Sequence, residues 1–313
     1  MNALIFPGQG SQAVGMGLEF YNKYDLVKKI FHQADEKLGY SISDIIFKGP
    51  EEKLQLTKNT QPAILTVSYS IFKVLKKEFG FDFKNFKYFA GHSLGEYSAL
   101  VCSGALNFDD ALYLLHERGK AMQEAVPLGE GAMLAVLGLD IDKINELLIS
   151  SKEETGVCEI ANDNANGQII LSGSKQNVEL IQKNLKEKKI KTIQLKVSAP
   201  FHCSLMKPAA ESMKKKINST KLNDTSYQII SNVTAKPGNN LSEIKQLLVD
   251  QIFSTVRWRE SIINMNKLGI NNFLELGPGK VLTSMVKRTV KNVNSFSINS
   301  IADIESVKNE FEK

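Results

Sequence analysis

Apolar residues along this chain fall into two alternating rhythms. Short unbroken runs bounded by glycine, proline or asparagine predict buried strands, and stretches with apolar positions every three or four residues predict helices. The first run, residues 3–6, is a strand that breaks at Pro7-Gly8. Helical spacing covers 20–38 and shorter segments up to Leu56. Thr60-Gln61-Pro62 opens a strong helix, because proline suits a first turn, and Ile64, Leu65, Val67, Ile71, Phe72 and Leu75 keep one apolar face before Gly80. Residues 88–90 form a strand, 94–102 a helix ending before Gly104, and Asn107 starts a helix whose apolar stripe runs through Ala111, Leu115, Met122 and Ala125.

From Gly131 the order changes: strand 132–139, helix 142–150, strands 157–162 and 168–173, helix 175–188, strand 190–197. This βαββαβ succession is the ferredoxin-like order. It predicts a subdomain at 128–198 inserted into a catalytic domain built from 1–127 and 199–313. The polar hairpin 162–167, with Asn166-Gly167 as its turn, joins the middle strands, and Asn162 or Asn164 can also offer an amide to a ligand between the domains. Afterwards come a helix to about Ile217, strand 228–231, helices 241–253 and 258–267, strand 272–276, helix 280–290, strand 295–298 and a polar, charged tail. The alternation assigns the chain to the α/β class, with a mainly parallel sheet.

Composition narrows the function classes. With 42% apolar and 23% charged residues, the 313-residue chain reads as a soluble globule with a sizeable core. Its opening apolar run is far too short for a signal peptide or a membrane span, so a cytoplasmic location and no membrane contact are expected. Cys102, Cys158 and Cys203 are odd in number and lack C-x-x-C spacing, which argues against disulfides and against a metal site. A net charge of +5 permits an acidic partner, while the basic runs lack the interleaved aromatics that nucleic-acid binding would use. Only Arg118, Arg257, Arg259 and Arg288 are arginine among 39 basic residues, so each marks a candidate site for a planar fork.

Chemistry concentrates around Gly91-His92-Ser93-Leu94-Gly95. Its G-x-S-x-G spacing between a strand and a helix predicts a sharp turn that exposes the Ser93 hydroxyl and aims the Leu94 N–H at an acyl oxygen. Arg118 falls in the apolar stripe of its helix, where a buried guanidinium needs either an internal acid or a substrate carboxylate. Of the four histidines, His32 and His116 sit on outer helix faces and His92 points away from Ser93 by strand alternation, which leaves His202 as the base. Its orienting group is open: an acid between Ser93 and His202, or a backbone carbonyl. Residues 8–13 fit a dinucleotide fingerprint formally, but no second strand with an acidic end follows, and the turn can instead bring Gln9 to the sheet edge. Gln61, at the start of its helix, either caps it or borders the site.

Phe6-Pro7-Gly8-Gln9-Gly10-Ser11-Gln12, the run 91–100, Arg118 to Met122, Pro200-Phe201-His202 and Glu275 to Gly279 together resemble the malonyl-CoA:acyl-carrier-protein transacylase family, in order and from end to end. The resemblance implies an α/β hydrolase-like core with a ferredoxin-like insert, Ser93 as nucleophile, His202 as base, Gln9 and the Leu94 N–H as oxyanion hole, and Arg118 pairing with the malonyl carboxylate. It further implies that the Gln251 carbonyl orients His202, and that Gln61, Met122, Asn162 and Val197 line the pocket. Malonyl-CoA is then the substrate, an acidic acyl carrier protein the partner, and no cofactor is bound; a monomer is expected, with Lys280, Lys287 and Arg288 as the docking patch. A polyketide-synthase malonyltransferase, an acyl hydrolase of the same fold and an inert carrier-binding subunit are the alternatives.

Overall fold

The computed structural model describes residues 1–150, 156–197 and 199–311. Among the described residues, ten strands form two sheets: β1 Asn2–Phe6, β2 Phe86–Gly91, β3 Gly131–Leu137, β4 Cys158–Ala165, β5 Gln168–Ser174, β6 Lys191–Gln194, β7 Gln228–Ile230, β8 Pro237–Gly238, β9 Asn272–Leu276 and β10 Asn294–Ile298. The larger sheet has the order β10-β9-β1-β2-β7-β8, parallel throughout except for the β7–β8 pair. The smaller runs β4-β5-β3-β6 and is antiparallel. The chain is therefore mixed α/β, with a mainly parallel sheet, as the pattern predicts.

Both faces of the larger sheet are covered, which explains why its strands read as unbroken apolar runs. On β1, Leu4 and Phe6 join the main core while Ala3 and Ile5 join a second core with Trp258, Ile262 and Phe273. The strand β3 divides its side chains the same way. Ala132, Leu134 and Val136 pack with Val178, Ile181 and Leu185, whereas Met133 and Ala135 belong to the main core. The antiparallel sheet thus sits against the larger unit through one face and carries its own helices on the other.

Two elements depart from the sequence reading, and a third shifts. The stretch expected as one helix over 20–38 is two, Leu18–Lys23 and Asp25–Leu38, parted by Tyr24 in an extended conformation. The expected polar tail is instead a helix, Ile301–Phe311, whose Ile304 and Val307 are buried and whose Phe311 stacks on Phe86. The helix expected to open at Thr60 begins at Thr57 and runs to Glu78, so Pro62 lies inside it. Proline has no N–H for the Lys58 carbonyl four residues back. His116 Nδ1 lies 3.2 Å from that oxygen and takes the vacated place, which gives this outer-face histidine a structural task.

Helices Thr57–Glu78 and Phe108–Glu124 cross closely at Gly119, where a Cβ would stand 2.6 Å from the Lys58 Cα and the Thr57 carbonyl oxygen. That approach puts the side chains of Gln61 and Arg118 together. A second close approach shapes the turn after β2. A Cβ on Gly91 would come within 1.9 Å of the Gly95 carbonyl group, so only glycine lets helix Gly95–Cys102 fold back this tightly.

Candidate active site

Ser93 occupies the corner between β2 and helix Gly95–Cys102 with φ at 53°, in the left-handed region that a strained nucleophile turn requires. Asn232 staples the corner: its Oδ1 accepts from the Ser93 N–H at 2.7 Å and its Nδ2 donates to the Gly91 carbonyl at 2.7 Å. The Leu94 N–H and the Gln9 side chain have no intramolecular acceptor or donor among the described residues, and both border the cavity over Ser93. They are free to meet an incoming oxygen.

Ser93 Oγ lies 2.8 Å from His202 Nε2, and His202 Nδ1 lies 2.8 Å from the Gln251 carbonyl oxygen. A carbonyl only accepts, so Nδ1 carries the proton and Nε2 is the lone-pair nitrogen that receives the serine proton. The group that orients the imidazole is thus the backbone carbonyl and not an acid. Burial, and then the nearby positive charge of Arg118, hold the His202 pKa down to about 3. A lowered pKa keeps the imidazole neutral, and able to accept a proton, at any pH above that value. The kcat/KM for acylation of Ser93 should therefore stay level as pH falls through 6.5, the ordinary histidine value. A single-turnover pH series checks this, and an acid limb centred on 6.5 would contradict it.

Arg118 is 1% exposed, and among the described residues no carboxylate forms an ion pair with it. Its Nη1 donates to Gln61 Oε1 at 2.7 Å, and its Nη2 donates to Gln251 Oε1 at 2.8 Å and to Ser93 Oγ at 3.1 Å. The Tyr97 ring lies 5.8 Å below the guanidinium, and Nε is buried without a partner. The other three arginines have hydrogen-bond partners elsewhere in the fold. Arg257 pairs with Glu260, Arg259 holds Asp163 through both carboxylate oxygens, and Arg288 ties the Asn166-Gly167 turn to its own helix.

A cavity of about 90 Å³ joins these groups, lined by Gln9, Gln61, Ser93, Leu94, Arg118, Met122, Asn162, Val197 and His202 among others. It shares Gln9, His92, Asn162, Leu195 and Val197 with a wider cleft of about 350 Å³ that leads outward past Lys196 and Val281. Every residue expected at the site is therefore in one place. His92, the remaining histidine near the serine, turns its Nε2 to Asn164 Oδ1 at 2.8 Å, so Asn164 supports the wall and Asn162 faces the cavity.

Three residues escaped the sequence reading: Asn232, Glu96 and the side chain of Gln251. No local pattern marks them, because the partners that join them to the nucleophile corner lie 136 to 158 residues away in the chain. Cys203, next to the candidate base, is poorly suited to be the nucleophile: burial pushes its thiol up to about 11, and its Sγ lies 3.1 Å from the Pro200 carbonyl oxygen. Among the described residues no group of three or more His, Cys, Asp or Glu could hold a metal ion, and no helix is long and apolar enough to cross a membrane.

Known proteins resemble this chain over nearly its whole length. A malonyl CoA-acyl carrier protein transacylase of Bacillus subtilis (strain 168) is 44% identical over 97% of this chain and 95% of its own. The crystal structure of an acyl-carrier-protein-S-malonyltransferase from Bartonella henselae superposes with a TM-score of 0.96 at 39% identity, covering 100% of this chain and 99% of that one. A malonyl-transacylase solved in complex with its type II PKS acyl-carrier protein superposes with a TM-score of 0.94 at 36% identity, over 99% of each chain. The family described as "Acyl transferase domain" matches residues 3–308, and the chain belongs to that family.

Proposed function

We propose that the protein transfers the malonyl group of malonyl-CoA to the phosphopantetheine thiol of an acyl carrier protein, through a malonyl ester on Ser93, in the service of fatty-acid biosynthesis. One observation carries this reading. A fully buried guanidinium stands 3.1 Å from the candidate nucleophile, held by two amides and forming no ion pair among the described residues. A donor whose acyl group ends in a carboxylate supplies what that site lacks.

In the first half-reaction His202 Nε2 takes the Ser93 proton as Oγ attacks the thioester carbon. The tetrahedral oxyanion is received by the Leu94 N–H and the Gln9 amide, with the positive end of helix Gly95–Cys102 behind them. The imidazolium then protonates the departing CoA sulfur. The second half runs in reverse, with the phosphopantetheine thiol as nucleophile and Ser93 as leaving group, so no bound cofactor takes part. A carbonyl leaves His202 a weaker base than a carboxylate would, which suits an ester meant to wait for a thiol.

The subdomain is read as ferredoxin-like: with its strands counted from β3 to β6, the sheet order is 4-1-3-2 and every pair is antiparallel. The larger unit, 1–127 with 199–313, is read as hydrolase-like; the edge of the 128–198 insert at 198 lies outside the described residues. Lys280, Lys287 and Arg288 are exposed beside the wider cleft and suit an acidic carrier, and a cytoplasmic monomer fits the reading. Polyketide service is the second reading, favoured by the relative solved with a type II PKS carrier. The purified protein, given malonyl-CoA with and without holo carrier protein, should form malonyl-carrier with parallel-line kinetics; free malonate as the main product would make it a hydrolase instead.

A further inference from the structure

Glu96 takes no part in the steps above, yet it is 2% exposed and stands one turn along the nucleophile's own helix. Its Oε2 accepts from Gln251 Nε2 at 2.7 Å and from the Asn232 N–H at 3.1 Å. Its Oε1 has no hydrogen-bond partner among the described residues, and Glu96 lines a separate cavity of about 470 Å³ with Ser231, Thr234, Lys236 and Arg257. The carboxylate therefore lies one layer behind the Arg118 fork, bridged to it by the Gln251 amide and forming no ion pair with it.

The Gln251 amide has two ends of nearly equal size and opposite polarity. If its NH2 faced Arg118, a donor would meet a donor, and the fork would lose one of the two amide oxygens that hold it. An acceptor behind the amide selects the other orientation. Ser93 O at 3.1 Å and Asn232 Oδ1 at 3.3 Å assist, but Glu96 Oε2 makes the shortest of the three contacts, and it accepts whether the carboxyl is ionised or carries its proton on Oε1. Gln251 also supplies the carbonyl that orients His202, so one residue ties the base to the clamp.

We propose that Glu96 is a positioning residue for acyl-group selectivity: it fixes the Gln251 amide so that the Arg118 guanidinium is aimed, but left unneutralised, for the carboxylate of the donor. This rests on the malonyl-transfer reading. Glu96→Asp draws the acceptor back by one methylene, and the ratio of kcat/KM for malonyl-CoA over acetyl-CoA should fall by about tenfold or more, carried by the malonyl KM. Glu96→Gln can place its amide oxygen where Oε2 stands and should keep that ratio to within about threefold of wild type. A ratio that survives Glu96→Asp, or that falls as far in Glu96→Gln as in Glu96→Asp, would overturn the inference alone. A wild-type enzyme with no preference for malonyl would overturn the functional reading and this inference with it.

Discussion

Ser93→Ala should end covalent labelling by malonyl-CoA and lower transfer to carrier protein by about four orders of magnitude or more. The expectation follows from the sharing of one oxygen: Ser93 Oγ is the atom that both His202 Nε2 and Arg118 Nη2 reach. Without it the base has no proton to take, and no other nucleophile is ready. The Cys158 thiol is pushed up to about 12 by burial, and Cys102 is raised well above its ordinary value for the same reason. The corner itself should survive the change, because the staple from Asn232 engages the backbone of Ser93 and Gly91 and not the hydroxyl. Intact-mass measurement after mixing with malonyl-CoA reads the result directly. An adduct of one malonyl group on the alanine variant would move the nucleophile elsewhere.

The nucleophile corner was legible in the sequence because its requirements are local: two glycines at fixed spacing, an apolar run before and a helix after. The inserted sheet was legible for a different reason, since the order of its strand and helix rhythms is itself the topology. Arg118 stood out because a charge interrupts an apolar stripe. What stayed hidden are groups whose meaning arises only when distant segments meet. Asn232 sits in a loop with nothing to distinguish it, and both ends of its amide find partners at the end of the neighbouring strand β2, distant in the chain. Glu96 reads as an acidic residue in a helix's first turn, which is ordinary capping chemistry until burial and Gln251 give it another task. The final helix was hidden by its composition. Ile301, Ile304, Val307 and Phe311 make a stripe one residue wide among charged neighbours, and it becomes visible only against the aromatic cluster of Phe81, Phe86 and Phe296.

Arg118→Ala should lower kcat/KM for malonyl-CoA by about a hundredfold to a thousandfold, because on the proposed reading it removes one partner of a desolvated guanidinium–carboxylate pair. Acetyl transfer should fall far less. The substitution also leaves Gln61 Oε1 and Gln251 Oε1 without their shared donor, a cost borne equally by both substrates, so it drops out of the ratio of the two rates. A further effect works in the same direction. The positive charge of Arg118 is one of the causes that lower the His202 pKa, second only to burial, so an unpaired guanidinium weakens the base. A malonyl carboxylate seated on the fork would cancel that charge and an acetyl group would not, which would couple recognition of the donor to activation of Ser93. Removing the guanidinium relieves the base whatever the donor, so acetyl transfer has a gain to set against its structural loss. Arg118→Lys keeps the charge but cannot hold two amides and a substrate at once, and should fall between wild type and alanine for malonyl. Steady-state rates with both thioesters decide the matter: equal losses for malonyl and acetyl would show that Arg118 supports the architecture of the site and does not select the donor.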